Sequence, residues 1–216
     1  MAPSFMSLAD DDRGEIVARI AEALEAGGVV LLPTDTVYGL AALPGDRAAT
    51  DRLFALKGRA SDAPLAVLCS DTDQAIALAG PTSAQALTRV GRRWWPGPLT
   101  VVAQRRPGLH LHLGEPSTTV GLRVPAHDIV RAVAARVGPI AATSANRHGE
   151  PTPTTASEAA AQLGPDIALI VDGGLLSTTA STVIDATADT WRVLREGPIA
   201  GVEVVRIAHA SSADGR

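Results

Sequence analysis

A chain of 216 residues with 46% apolar residues can bury a sizeable core, but aromatics make up only 3%, so Ala, Val, Leu and Ile must fill it. A net charge of −4 excludes a general nucleic-acid coat, though not a single basic cleft. One cysteine, Cys69, excludes a disulfide framework and a thiolate zinc site within one chain, and no apolar stretch reaches the ~18 residues needed to span a bilayer.

Residues 1–10 read as a loose tail, acidic and without a signal-peptide core, and the protein is expected in the cytoplasm. Asp12 with Glu15 three residues on reads as a helix start, and Ile16, Val17, Ile20 and Leu24 then share one face up to Gly27-Gly28. A strand is expected at 29–32, and Asp46 is placed to cap a second helix that brings Leu53 and Leu56 to the core and Lys57 to its exit. Residues 65–69 read as a strand, 71–79 as a capped helix, 83–93 as a helix and 99–104 as a strand. Cys69 sits in an apolar run and reads as core. The segment 106–117, with two prolines, two glycines and two histidines, reads as a mobile loop. A strand at 119–124, a helix from Asp128 to Val137 and a strand at 139–143 follow. The stretch 147–154 reads as a lid or linker, and Thr155 with Glu158 opens an Ala-rich helix. Strands near 167–171, 181–184 and 191–195 complete the pattern, and 207–216 reads as a flexible tail. Strands alternating with helices predict one α/β domain over 11–206.

The stretch Pro33-Thr34-Asp35-Thr36-Val37-Tyr38-Gly39-Leu40 organises the chain. Pro33 cannot donate to a ladder, so the preceding strand stops there, and three hydroxyls and a carboxylate then crowd into five positions. Such loops at strand ends build ligand sites in α/β proteins; equally, Thr and Asp there can bond only to their own backbone.

PTDTVYGL resembles the opening motif of the YrdC/Sua5 family, the threonylcarbamoyl-AMP synthases. Further matches follow in family order: Lys57-Gly58-Arg59, Trp95-Pro96-Gly97-Pro98-Leu99-Thr100, Val120-Gly121-Leu122-Arg123-Val124-Pro125, Thr143-Ser144-Ala145-Asn146, Ser181-Thr182-Val183 and Arg195-Glu196-Gly197. The resemblance implies a twisted open mixed α/β sheet with helices packed around it and a concave active-site cleft. It implies synthesis of L-threonylcarbamoyl-AMP and pyrophosphate from L-threonine, bicarbonate or CO2, and ATP, with Mg2+ accompanying the ATP. The product would pass to a separate transferase that modifies adenosine beside the anticodon of tRNA, with at most transient contact to that machinery. Two other readings stand beside it: a non-catalytic double-stranded RNA or tRNA binding module, which would need a basic patch such as Arg89, Arg92, Arg93, Arg105 and Arg106, and a carbamoyl-transfer domain like that of hydrogenase maturation proteins.

No glycine-rich phosphate cradle of either common kind is present, so charged and hydroxyl side chains must hold any ATP. Lys57, the only lysine, and Arg59 offer a compact charge and a bidentate fork; cations at a helix end also suit its dipole. By resemblance both act as electrostatic clamps on the nucleotide, and Arg59 also reaches the threonine carboxylate. Ser144 and Asn146, at a strand end, could form an ordinary turn, but by resemblance they contact the nucleotide, as does Arg195. Thr34, Arg123 and Ser181 look like the amino-acid side of the pocket. Arg123 lies in an otherwise apolar strand, where it either faces inward with a partner or is turned outward by strand alternation. Tyr38 either meets the ligand or fills core. Two departures from the family pattern stand out. Ala60 follows Arg59 where many relatives have Pro, and Pro64-Leu65-Ala66-Val67-Leu68 lacks the His that many carry there, so no histidine is assigned to the site. The five histidines show no zinc-site spacing. No tight tRNA binding by the chain alone is expected, given its negative charge.

Overall fold

The computed structural model describes residues 3–58, 64–115 and 118–209. In chain order these form β1 (Ser4–Ser7), α1 (Arg13–Glu25), β2 (Val30–Leu32), β3 (Gly39–Ala42), α2 (Arg47–Lys57) and β4 (Ala66–Leu68). Then come α3 (Thr72–Leu78), α4 (Ala84–Trp94), β5 (Leu99–Gln104), β6 (Thr119–Arg123), α5 (Asp128–Val137) and β7 (Ile140–Ser144). The last elements are α6 (Ala156–Leu163), β8 (Leu169–Asp172), β9 (Thr182–Asp185), β10 (Arg192–Arg195) and α7 (Gly201–His209). The helices predicted from local caps begin as expected. Asp12, Asp46, Asp71 and Thr155 each accept the amide three residues on, and Thr155 with Glu158 closes a reciprocal capping box.

All ten strands join one open mixed sheet in the order β1-β8-β2-β3-β7-β4-β6-β5-β9-β10. Four pairs are parallel (β1/β8, β2/β8, β4/β6, β5/β9) and five antiparallel (β2/β3, β3/β7, β4/β7, β5/β6, β9/β10). Three elements depart from the sequence reading. Part of the expected N-terminal tail is β1, held by parallel pairing to β8. Gly39–Ala42 is a buried strand rather than part of a loop. The chain past Gly197 continues into α7, which extends to His209 across the expected start of a tail; residues 210–216 lie outside the described residues.

Strand alternation sorts the core into two layers. Leu31, Leu40, Val67, Val101, Leu122 and Ala141 face α2, α3, α4, α6 and α7, whereas Val30, Leu32, Ala41, Leu68 and Ala142 pack with Ile16, Ile20 and Leu24 of α1 and Val130 and Val133 of α5. The second layer does not cover the whole sheet. On the same face, Gly39, Ala66, Gly121 and Ala142 carry little side chain, and the sheet there forms the floor of a cavity of about 400 Å³. The segment 106–115 has no helix and is not loose along its whole length. His112 N–H donates to Pro44 O at 2.8 Å, Leu65 N–H donates to Leu113 O at 2.8 Å, and Leu113 is buried.

Candidate active site

The cavity gathers residues far apart in sequence. Thr34, Arg123, Ser144, Ser181 and Arg195 line it, joined by Thr36, Thr100, Thr119 and Thr143. The alternation of β6 explains Arg123. Val120, Leu122 and Val124 enter the core, while Thr119, Gly121 and Arg123 turn to the cavity face. Alternation does turn Arg123 away from the helix-packed layer. That face is a cavity wall rather than open water, however, and the side chain is buried and paired.

The partner is Asp35. Arg123 Nη2 donates to Asp35 Oδ1 at 2.6 Å, Nη1 to Thr36 Oγ1 at 3.0 Å and Nε to Gly97 O at 3.2 Å. Burial lowers the Arg123 pKa, and the Asp35 charge opposes that shift. Thr34 sets the loop's shape: its Oγ1 donates to Val37 O at 2.6 Å and accepts from the Thr36 and Val37 amides at 3.1 and 3.2 Å. Thr34 thus lines the cavity while its hydroxyl closes its own turn.

A second cluster joins Lys57, Ser144 and Asn146. Gly58 in the left-handed conformation ends α2 and leaves Lys57 in its last turn. Lys57 Nζ donates to Ser144 O at 2.5 Å and Asn146 O at 2.6 Å, with Asn146 Oδ1 at 3.3 Å. Ser144 Oγ donates to Asn146 Oδ1 at 2.6 Å. Three of the five residues assigned to the nucleotide are thus mutual partners. Ser144 lines the cavity, whereas Lys57 and Asn146 stand behind it. Arg59 lies outside the described residues.

The third cluster is Ser181 with Arg195, whose Nε donates to Ser181 O at 2.9 Å and Nη2 to Ser181 Oγ at 3.2 Å. Tyr38 proves to be core. Its hydroxyl lies 2.7 Å from Gly174 O and 3.0 Å from Asp172 Oδ1, accepts from Gly173 N–H at 3.0 Å, and is absent from the cavity wall. Burial pushes its pKa up to about 12, so it stays a protonated strut. Burial likewise pushes the Cys69 thiol up to about 12, as suits a core cysteine rather than a nucleophile.

Sequence reasoning missed Asp35 as the partner of Arg123, and Thr100 as a wall residue. The alternation of β5 carries the signal for Thr100: Leu99, Val101 and Ala103 are core, while Thr100 and Val102 face the cavity. Leu68 lines the cavity, giving an apolar wall at that point. Among the described residues no group of three or more His, Cys, Asp or Glu side chains is arranged to hold a metal, and no carboxylate lines the cavity. The basic patch considered for RNA is largely engaged within the chain. Arg89 donates to Ala208 O at 2.6 Å, Arg93 pairs with Glu203 at 2.6 Å, Arg105 donates to Leu111 O at 2.9 Å, and Arg106 reaches Ala79 O at 3.4 Å.

The chain is similar to several known proteins in sequence and in fold. A Bacillus subtilis threonylcarbamoyl-AMP synthase is 39% identical over 186 residues, covering 85% of this chain and 54% of that protein. A Mycobacterium tuberculosis (strain H37Rv) protein provisionally named threonylcarbamoyl-AMP synthase is 35% identical over 216 residues, covering 99% of this chain and 98% of its own. The Pyrococcus abyssi Sua5 crystal structure complexed with L-threonine superposes with a TM-score of 0.83 at 33% identity, over 96% of this chain and 61% of that one. Escherichia coli YciO gives a TM-score of 0.81 at 25% identity, over 95% of this chain and 100% of that one. The profile of the Sua5/YciO/YrdC family, described as "Telomere recombination", matches residues 22–197, and the chain belongs to that family.

Proposed function

We propose that this protein is an L-threonylcarbamoyl-AMP synthase. The observation that carries the reading is the convergence of Thr34, Arg123, Ser144, Ser181 and Arg195 on one cavity, in a chain whose relatives bear that name. The threonine amine adds to CO2, supplied as such or from bicarbonate, and gives a carbamate with loss of a proton. A carbamate oxygen then attacks the α-phosphorus of ATP, an oxygen–phosphorus bond forms, and pyrophosphate leaves. No covalent enzyme intermediate is needed. Catalysis is positioning plus neutralisation of developing negative charge.

In this reading Thr34, Arg123 and Ser181 hold the amino acid, and Arg195, bonded to Ser181, faces the nucleotide. The Ser144–Asn146 turn meets the phosphates, and Arg59, by its motif position alone, is assigned to the same clamp. Lys57 contributes its charge from behind that turn and fixes the turn's shape. Mg2+ would accompany the phosphates of ATP; among the described residues the cavity wall offers hydroxyls and guanidinium groups but no carboxylate. The product is a mixed anhydride that a separate transferase would consume in modifying tRNA. The deciding experiment follows pyrophosphate release from ATP by the purified protein. Release is expected only when L-threonine and bicarbonate are both present, and release indifferent to either would refute the reading.

Lys57→Ala is expected to lower kcat/KM by about 2–4 kcal/mol in transition-state terms, roughly 30- to 1000-fold. The variant also loses a buried anchor for two carbonyls, so its thermal midpoint is expected to fall while its circular dichroism at low temperature stays native. Normal turnover by the folded variant would remove Lys57 from the machinery.

The isolated protein is expected to bind tRNA no tighter than micromolar near physiological salt. Its net charge is −4 and its main arginine cluster is committed to internal partners. A salt-sensitive submicromolar complex in a filter-binding titration would instead favour the RNA-binding module.

A further inference from the structure

The cavity contains a hydroxyl pair whose proton inventory leaves one donor for a ligand. Thr100 Oγ1 and Ser181 Oγ lie 2.9 Å apart, both residues are buried, and both line the cavity. Two hydroxyls carry two protons, and their mutual bond uses one. Arg195 Nη2 points an N–H at Ser181 Oγ, so Ser181 cannot spend its proton there. If Thr100 donates to Ser181, the Ser181 proton is left over. If Ser181 donates to Thr100, the Thr100 proton is left over. Either arrangement presents one O–H donor to an oxygen in the cavity.

Thr100 is held in the orientation this requires. β5 pairs with β6, and a Cβ placed on Gly121 would meet the Thr100 methyl Cγ2 at 3.6 Å. That is ordinary contact distance, and it places the Thr100 methyl over the neighbouring strand at Gly121. With the methyl there, the hydroxyl branch of this stiff side chain is the one that meets Ser181 across the β5/β9 pairing.

We propose that Thr100 is a specificity-determining positioning residue: with Arg195 it brackets the Ser181 hydroxyl, so that the one proton the pair leaves over is aimed at a side-chain oxygen of the amino acid. This rests on the synthase reading above and adds which residue enforces the choice of substrate. Valine at position 100 would keep the methyl over Gly121 and put a second methyl where the hydroxyl was. Ser181 would then keep its contact with Arg195 and its own proton but lose the hydroxyl that sets where that proton points. Serine at position 100 would keep the hydroxyl and lose only the methyl.

The test uses the full chain, with ATP and bicarbonate saturating and L-threonine or L-valine varied, read as pyrophosphate release. For Thr100→Val, kcat/KM for threonine is expected to fall about 5- to 150-fold, the rate equivalent of leaving one buried polar group unpaired. The loss should lie mainly in KM for the amino acid, with KM for ATP unchanged. The threonine-to-valine preference should fall by at least about tenfold, and Thr100→Ser should restore it. A merely structural role for Thr100 would lower both amino acids together and move ATP as well. If Thr100→Val does not fold, judged by circular dichroism, Thr100→Ala takes its place, since it too lacks the hydroxyl. An unchanged threonine-to-valine preference in a folded variant without the hydroxyl overturns the proposal while leaving the synthase reading intact. A wild-type protein with no threonine-dependent release overturns both.

Discussion

Arg123→Met is expected to lower the thermal unfolding midpoint by about 6–20 °C. The guanidinium is buried and holds Asp35 at 2.6 Å, and the Asp35 side chain is itself only 11% exposed. Asp35 Oδ2 is already buried without a hydrogen-bond partner among the described residues, so Arg123 supplies most of what keeps that carboxylate tolerable. Removing one member of a buried pair leaves the other charge uncompensated, at a cost of about 3–5 kcal/mol. In a chain of this length each kcal/mol moves the midpoint by about 2–4 °C. Asp35→Asn should show a comparable loss, because it strands the arginine instead. The double variant should be less damaged than the sum of the two, since it removes both charges. Differential scanning calorimetry of the three proteins tests this. Additive losses would mean that the two side chains do not act as a pair.

The second large effect concerns the amino acid. A wall built from Thr34, Arg123 and Ser181 is polar, and valine has threonine's shape without its hydroxyl. Binding valine would leave a buried hydrogen-bonding group unpaired, and sites that read a hydroxyl reject such analogues by up to roughly 10⁴-fold. Serine keeps the hydroxyl and loses a methyl, a difference of about 1–3 kcal/mol. The expected order of kcat/KM in the wild-type protein is threonine, then serine, then valine. Competition assays read by pyrophosphate release measure it. Valine equal to or better than serine would mean that the hydroxyl is not read, whatever the fate of the nucleotide site.

What could be read from the sequence depended on how local each cause is. Asp12, Asp46, Asp71 and Thr155 announce their helices because the cap bond spans three residues. β3 is Gly-Leu-Ala-Ala, poor strand formers by composition. It is a strand because β2 and β7 pair with it on either side, and its residues are all buried. β1 depends on β8, more than 160 positions along the chain, and its Phe5 is exposed, so no apolar pattern marks it. α7 is rich in Val and Ile, which disfavour helix on their own. Packing of Val204 and Ala208, and the Gly201 amide donating to Glu196 Oε2 at 3.0 Å, override that preference. The site divides the same way. Thr34, Arg123, Ser144, Ser181 and Arg195 stand in the motifs and line the cavity, but Thr100 was not legible as a wall residue, nor were the mutual contacts. Lys57 finds carbonyls 87 and 89 positions away, and Arg123 finds Asp35 at a separation of 88.

Lys57 also gives the protein an unusual chemical handle. It is the only lysine in the chain and is 3% exposed. In the native state, then, no readily acylated side-chain amine faces solvent. Any reagent that modifies a lysine here must wait for Nζ to leave the two carbonyls at the start of the loop after β7. The rate of that labelling becomes a clock for opening of this corner of the cavity, separate from global unfolding whenever it runs faster. A ligand that settles on the Ser144–Asn146 turn should slow the clock, so substrate occupancy can be followed by mass spectrometry without any turnover at all.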